Sequence, residues 1–462
     1  MKALLNEHPN RLMWLLLSFV ACFCLIGLGG FHLFDWDEIN FAESSREMII
    51  TGDYLHVQVN FLPFWEKPPL FMWLQVLAMN FIENASYAAR FPNAIFGLIY
   101  FITFYLIGKR HFTKTFGLIW GVVMMASILP HVYFNSGIID PVFNYFIFMS
   151  IYFLMLVLEK EENRNQNALL AGAMSGLSLL TKGPVGFLLL GLTLLIHLIS
   201  KRFKGFPSIK HILLFFSTFV GTVFIWLFWE YLQNGVENLT KFIMYQVELL
   251  NSDVAGHKQP FYYHFVVVFF GCFPMSILAL PAFRKSSVDT PLNFKKWMSI
   301  LFWVVMILFS LVTTKIIHYS SMTYIPLAFL ATWAINQRLK TCSRFHPALE
   351  WTFLVIGSIV GMALLAVVYI FKNSGDFTFL FEDPFAKECM TVPVAWTGME
   401  FISGILFLTG IVLGFIWLGK GRLMRSLFTI FFTTGFSLLT AQLLILPKIE
   451  IHTQGPMLEM CE

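Results

Sequence analysis

The chain has 462 residues, of which 57% are hydrophobic, 17% aromatic and only 13% charged. Soluble domains carry about 25% charged residues, so a globule of this size could not cover its apolar surface, which argues against a soluble enzyme, a disordered chain or a nucleic-acid binder. The net charge is only +4, and six Cys show neither metal spacing nor the density of a disulfide scaffold. The composition is that of an all-α polytopic membrane protein.

Apolar stretches near the roughly 20 residues that a bilayer requires lie at 12–33, 92–108, 115–134, 141–158, 168–181, 184–200, 211–231, 264–283, 298–314, 319–335, 349–371, 400–419 and 426–446. They predict about 13 spans, of which 168–181 is the shortest. The first is too long for a signal peptide, and no small-residue cleavage motif follows it. With the N-terminus inside, 21 of the 31 Lys and Arg fall on that side, which marks it as cytoplasmic. Most acids fall on the other side, where two long connections, 34–91 and 232–263, are expected. No internal repeat is visible, so a two-fold transporter architecture gains no support.

In chain order, the first charged cluster is Asp35-Trp36-Asp37-Glu38, three carboxylates that repel one another unless balanced. A solvated helix entry with an aspartate cap is the plain alternative. Phe41, Ala42, Ser45, Met48 and Ile49 then recur at helical spacing, opposite Glu43, Arg46 and Glu47, and Gly52 ends the pattern. This reads as a helix lying in the interface. Glu66-Lys67-Pro68-Pro69 follows; proline after Lys67 predicts an extended segment whose Glu66 and Lys67 point to opposite sides. Residues 70–82 read as a second interfacial or re-entrant helix.

Further on, Asp140 precedes Pro141 where a span begins, and a carboxylate there must face a cavity or cap its helix. Lys182-Gly183-Pro184 breaks two helices, with Lys182 free to snorkel to water. Asp253, His257 and Lys258 stand in the second long connection. Lys315, His318 and Tyr319 would share one helical face, donors suited to a phosphate or to an interfacial anchor.

Four motifs in order resemble a known family: Asp37-Glu38-x-x-Phe41-Ala42-Glu43-x-x-Arg46-Glu47-Met48, Gly52-Asp53-Tyr54, Phe64-x-Glu66-Lys67-Pro68-Pro69-Leu70 and Ala89-Arg90-Phe91-Pro92. They are similar to the aminoarabinose transferase and protein-mannosyltransferase-like branch of the GT-C glycosyltransferases. The resemblance is dense over 34–98 and patchy over about half the chain. It implies a single GT-C-like membrane domain over 1–462 whose first outer loop is catalytic. The implied donor is a polyprenyl-phosphate (undecaprenyl-phosphate-like) sugar, and the implied acceptor an envelope lipid, glycan or protein. The implied place is the outer, periplasmic face of a bacterial inner membrane.

On that resemblance Asp37 is the expected base, with Asp140, Glu66 and Lys67 beside it. Arg46, Lys182, His257, Lys315, His318 and Tyr319 are the expected donor-phosphate contacts. Glu66 and His257 are the expected ligands if a divalent metal ion takes part; no other cofactor is implied. Inversion at the sugar carbon is the family's expectation. One departure stands out: the aminoarabinose transferases carry a soluble domain after the last span, and here about 16 residues follow it, so none is expected. A transporter or flippase of lipid-linked sugar and a polysaccharide ligase remain the alternatives.

Overall fold

The structure, a computed structural model, describes residues 9–33, 36–159, 162–251, 259–284 and 290–461. It is helical nearly throughout. α1 (Pro9–Leu25) leads into the first long connection, which holds α2 (Trp36–Thr51), a hairpin of β1 (Gln58–Val59) and β2 (Leu62–Pro63), and α3 (Leu70–Met79). Then come α4 (Ala85–His111), α5 (Lys114–Met125), α6 (Ile128–Phe134), α7 (Asp140–Leu158), α8 (Arg164–Lys182), α9 (Val185–Ser200) and α10 (Ile209–Asn251). α11 (Tyr263–Gly271), α12 (Met275–Ala279), α13 (Phe294–Leu311) and α14 (Tyr324–Thr341) follow. α15 (Pro347–Lys372), α16 (Pro384–Thr391), α17 (Phe401–Gly419), α18 (Leu423–Leu444), α19 (Leu446–Thr453) and α20 (Gly455–Cys461) complete the order.

Local chemistry sets the helix ends. The Asn84 side chain accepts from the Tyr87 N–H at the start of α4, and Lys109, Arg110 and His111 fill its last turn, where cations complement exposed carbonyls. α2 stops at Gly52, whose φ of +71° suits glycine alone without strain. α4 and α5 cross closely because Gly108 meets Gly117, where an added Cβ would stand 2.3 Å from the Gly117 Cα. The core they share is aromatic: fully buried Trp120 stacks on Phe104 at 4.2 Å and meets Phe148, Phe294 and Phe329 edge-on.

The expected 13 spans are not reached by length and composition. Seven helices among the described residues are long and apolar enough to cross a membrane, or nine if each of two bent pairs is one span. The pair α5–α6 bends by 78° and the segment Tyr263–Phe283 by 104°, so the stretches 115–134 and 264–283 are broken rather than straight. α1 and α9 are short, and α8 carries Asn, Gln and Ser through its length. Apolar runs alone cannot separate such elements from full crossings.

Three other expectations change. The first long connection ends by Asn84, because α4 starts seven residues before the expected 92 and takes Arg90 into the helix. The second, 232–263, is mostly helical: α10 runs to Asn251 through a break at Gly235, φ +72°. Residues 65–67 turn instead of extending.

Candidate active site

The charged residues converge where several helix ends meet. α2 starts at Trp36, so Asp37 and Glu38 lie in its first turn. The Asp37 carboxylate stands 3.5 Å from His318 Nε2, on the 3-10 turn Ile317–Thr323 that leads into α14. Asp140 opens α7 and Lys182 closes α8; the ammonium donates to both Asp140 oxygens at 2.8 Å. The Ser321 hydroxyl donates to Asp140 as well, at 3.0 Å, and accepts from Asn144 Nδ2 at 2.9 Å. Lys182 lies 5.9 Å from the centre of the Tyr319 ring. Lys67 is ion-paired to Glu66, its own neighbour, because the turn at 65–67 brings together side chains that an extended strand would separate.

Electrostatics join these groups into one site. Burial raises the Asp37 pKa above the ordinary aspartate value; His318, Lys67 and Lys182 pull it back and Asp140 pushes it further up. Burial lowers the His318 pKa, against the opposing pull of Asp140 and Asp37. Asp37, Lys67, Asp140, Lys182 and His318 therefore feel one another's charge.

Other expected members stand elsewhere. Arg46 lies half a helical turn round α2 from Asp37 and holds Glu43 at 2.6 Å on an exposed face. Lys315 is not on a helix with His318 and Tyr319: it precedes the 3-10 turn in extended backbone. Its buried ammonium donates to the carbonyls of Val312 and Gln259 at 2.7 and 3.0 Å. His257 lies outside the described residues. For a metal, no group of three or more His, Cys, Asp or Glu converges among the described residues, and Glu66 is engaged by Lys67.

Several residues that matter were quoted in the motifs, or passed over, without a site role. Arg90, 1% exposed, donates to both Glu38 oxygens at 2.8 and 2.9 Å and to the carbonyls of Leu28, Phe31 and His32. Glu38 also accepts from the Gly137 N–H at 2.6 Å. This buried pair ties the Asp37 turn to α4 and to the segment before α7. Glu47, expected on the polar side of α2, is fully buried and accepts from the Phe61 N–H at 2.9 Å. His56 sits between Asp53 at 3.6 Å and Glu230 of α10 at 3.3 Å, edge-on to Trp65. The signal for Arg90 was present: a lone arginine entering an apolar helix is costly unless paired.

Residues 66–229 match the family described as dolichyl-phosphate-mannose-protein mannosyltransferase. The chain is 24% identical over 371 residues to an undecaprenyl phosphate-alpha-4-amino-4-deoxy-L-arabinose arabinosyl transferase of Pectobacterium atrosepticum, which covers 75% of this chain and 63% of the relative. A transferase of the same description from Proteus mirabilis is 24% identical over 93% of the chain and 75% of the relative. The chain spans just under two thirds of the length of several such relatives. Its fold matches the crystal structure of ArnT from Cupriavidus metallidurans bound to undecaprenyl phosphate, with a TM-score of 0.76, 20% identity, and coverage of 96% of this chain and 77% of that one. Motifs, relatives and architecture agree: the chain is a helical membrane protein similar in sequence to the aminoarabinose transferases and alike in fold to the ArnT structure.

Proposed function

We propose that the protein is a glycosyltransferase that moves a sugar from a polyprenyl-phosphate donor to an envelope lipid, glycan or protein at the outer face of the membrane. The observation that carries this reading is a buried-edge carboxylate, Asp37, held among Lys67, Lys182 and His318 where helix ends meet. The likeness to arabinosyl transferases and to the undecaprenyl-phosphate-bound ArnT fold supports the donor class.

In this reading an acceptor hydroxyl gives its proton to Asp37 as its oxygen forms a bond to the anomeric carbon. The bond from that carbon to the phosphate oxygen breaks, and polyprenyl phosphate leaves with the electron pair. Lys67 and Lys182 oppose the charge that grows on the leaving oxygen. Glu66 and Asp140 hold those two ammonium groups in place, and Ser321 fixes Asp140 in turn. Single displacement with inversion at the sugar carbon is the outcome this reading expects, with Asp37 as base and not as nucleophile.

The test is transfer in proteoliposomes from radiolabelled undecaprenyl-phosphate sugars to extracted envelope lipids. Wild type is expected to transfer and Asp37→Asn to fall by at least about 100-fold, the scale of a lost general base. Equal transfer by both removes Asp37 as the base. Movement of the lipid between leaflets without transfer overturns the enzyme and favours a flippase.

A further inference from the structure

At the end of α7 opposite Asp140, about 28 Å away along 19 residues, two neighbouring cavities share His211 in their walls. The first is apolar, has room for about 130 Å³ and lies among α7, α8, α9 and α10, walled by Leu154, Val157, Leu190 and Phe215. The second is a polar, open cleft with room for about 500 Å³, lined by Asn163, Arg164, Asn165, Gln166 and His211. His211 lines both, so one amphiphile could occupy the two together. The apolar cavity borders α10, which is largely exposed over its apolar length and so faces lipid.

The polar cleft is cationic. Arg164 donates through Nε to the Val157 carbonyl at 2.9 Å, which aims its guanidinium, and among the described residues no acceptor meets its other nitrogens. Arg164 and Lys210 both stand close enough for their charges to act on His211. Among the described residues no carboxylate lines the cleft. The nearest described acids are Glu162, which is exposed, and Glu159, which is taken up by Lys201 and by Asn293 at 3.1 Å. Gly191 on α9 completes the picture: a Cβ built there meets nothing within 4 Å, so the helix leaves open space on the cavity side.

We propose that this pair of cavities binds one anionic phospholipid from the leaflet opposite the candidate active site. An acyl chain fills the apolar cavity. The phosphate sits against Arg164 and His211 with the amides of Asn165 and Gln166 beside it. A guanidinium matches phosphate geometry, and basic residues at a membrane surface favour anionic headgroups. The site does not depend on the glycosyltransferase reading.

The experiment is native mass spectrometry of the delipidated full chain after equimolar addition of dioleoyl-phosphatidylglycerol and dioleoyl-phosphatidylethanolamine. One phosphatidylglycerol is expected to stay bound in preference to the zwitterionic lipid. Gly191→Phe, grown from a position whose Cβ meets nothing within 4 Å, is expected to remove it while leaving thermal stability unchanged. Arg164→Gln is expected to weaken retention roughly tenfold, the scale of one charge-assisted hydrogen bond. Equal retention of both lipids, or retention untouched by either variant, overturns the site. So does displacement of phosphatidylglycerol by equimolar undecaprenyl phosphate, which would assign the cavities to the carrier instead.

Discussion

Asp37 holds its proton to higher pH than an exposed aspartate because burial disfavours its charge. A base works only when ionised, so transfer is expected to rise with pH through a midpoint above the ordinary value of about 3.9. Lys67 lowers that midpoint, so Lys67→Met is expected to move the acid limb of the pH profile upward, whatever it does to the maximal rate. An unmoved limb would mean that another group titrates. His318 behaves in the opposite sense: burial lowers its pKa, so at neutral pH it is mainly uncharged. A donor phosphate arriving beside it adds negative charge and raises that pKa. Donor binding is therefore expected to take up protons and to weaken as pH rises. Calorimetry in buffers of different ionisation enthalpy reads the proton count, and His318→Gln should lower it. These residues were legible because ionisable groups at helix ends in so apolar a chain stand out. Lys315 and Arg46 misled for a definable reason: helical spacing was assumed for Lys315 where the backbone is extended, and Arg46 sits on the wrong face of α2 to reach Asp37.

Among the elements, α2 is the one on which the site hangs, and its moorings are polar. Arg90 joins Glu38 to three carbonyls after α1. Arg90→Leu leaves the Glu38 carboxylate buried without its partner, a loss of about 3–5 kcal/mol. Denaturation in detergent should show it, and the double variant Glu38→Gln with Arg90→Leu should lose less than Arg90→Leu alone. The hairpin offers a gain. Asn60 and Phe61 both have φ near +56°, the geometry of a two-residue turn that prefers Asn-Gly. Phe61 pays a bulky residue's strain there, and its side chain is 55% exposed. Phe61→Gly should stabilise the turn by about 1 kcal/mol, seen as slower hydrogen exchange at the Phe61 and Phe64 amides. The reading of α2 from sequence succeeded for Phe41, Ala42 and Met48 but missed Glu47, since a period shows which residues share a face and not that a carboxylate will be buried under a hairpin.

At the scale of the molecule, the helical membrane fold class was readable from composition and the four motifs. The number of crossings was not. Bends at 126–127 and 272–274, the second at Pro274, break two apolar stretches, and hydropathy is blind to direction. The cavities far from the site were equally invisible, because they depend on how four helices splay and not on any local pattern.

The ion pair of Asp140 and Lys182 has a consequence for how the chain is built. The two residues are 42 positions apart and close the end of a helical hairpin, α7 and α8, opposite its connection. Neither charge has its partner until both helices stand together, and a lone charge at that depth is costly. Assembly is thereby drawn toward insertion of the hairpin as a unit. The pair that shapes the site also proofreads the topology of the two helices that bring it there.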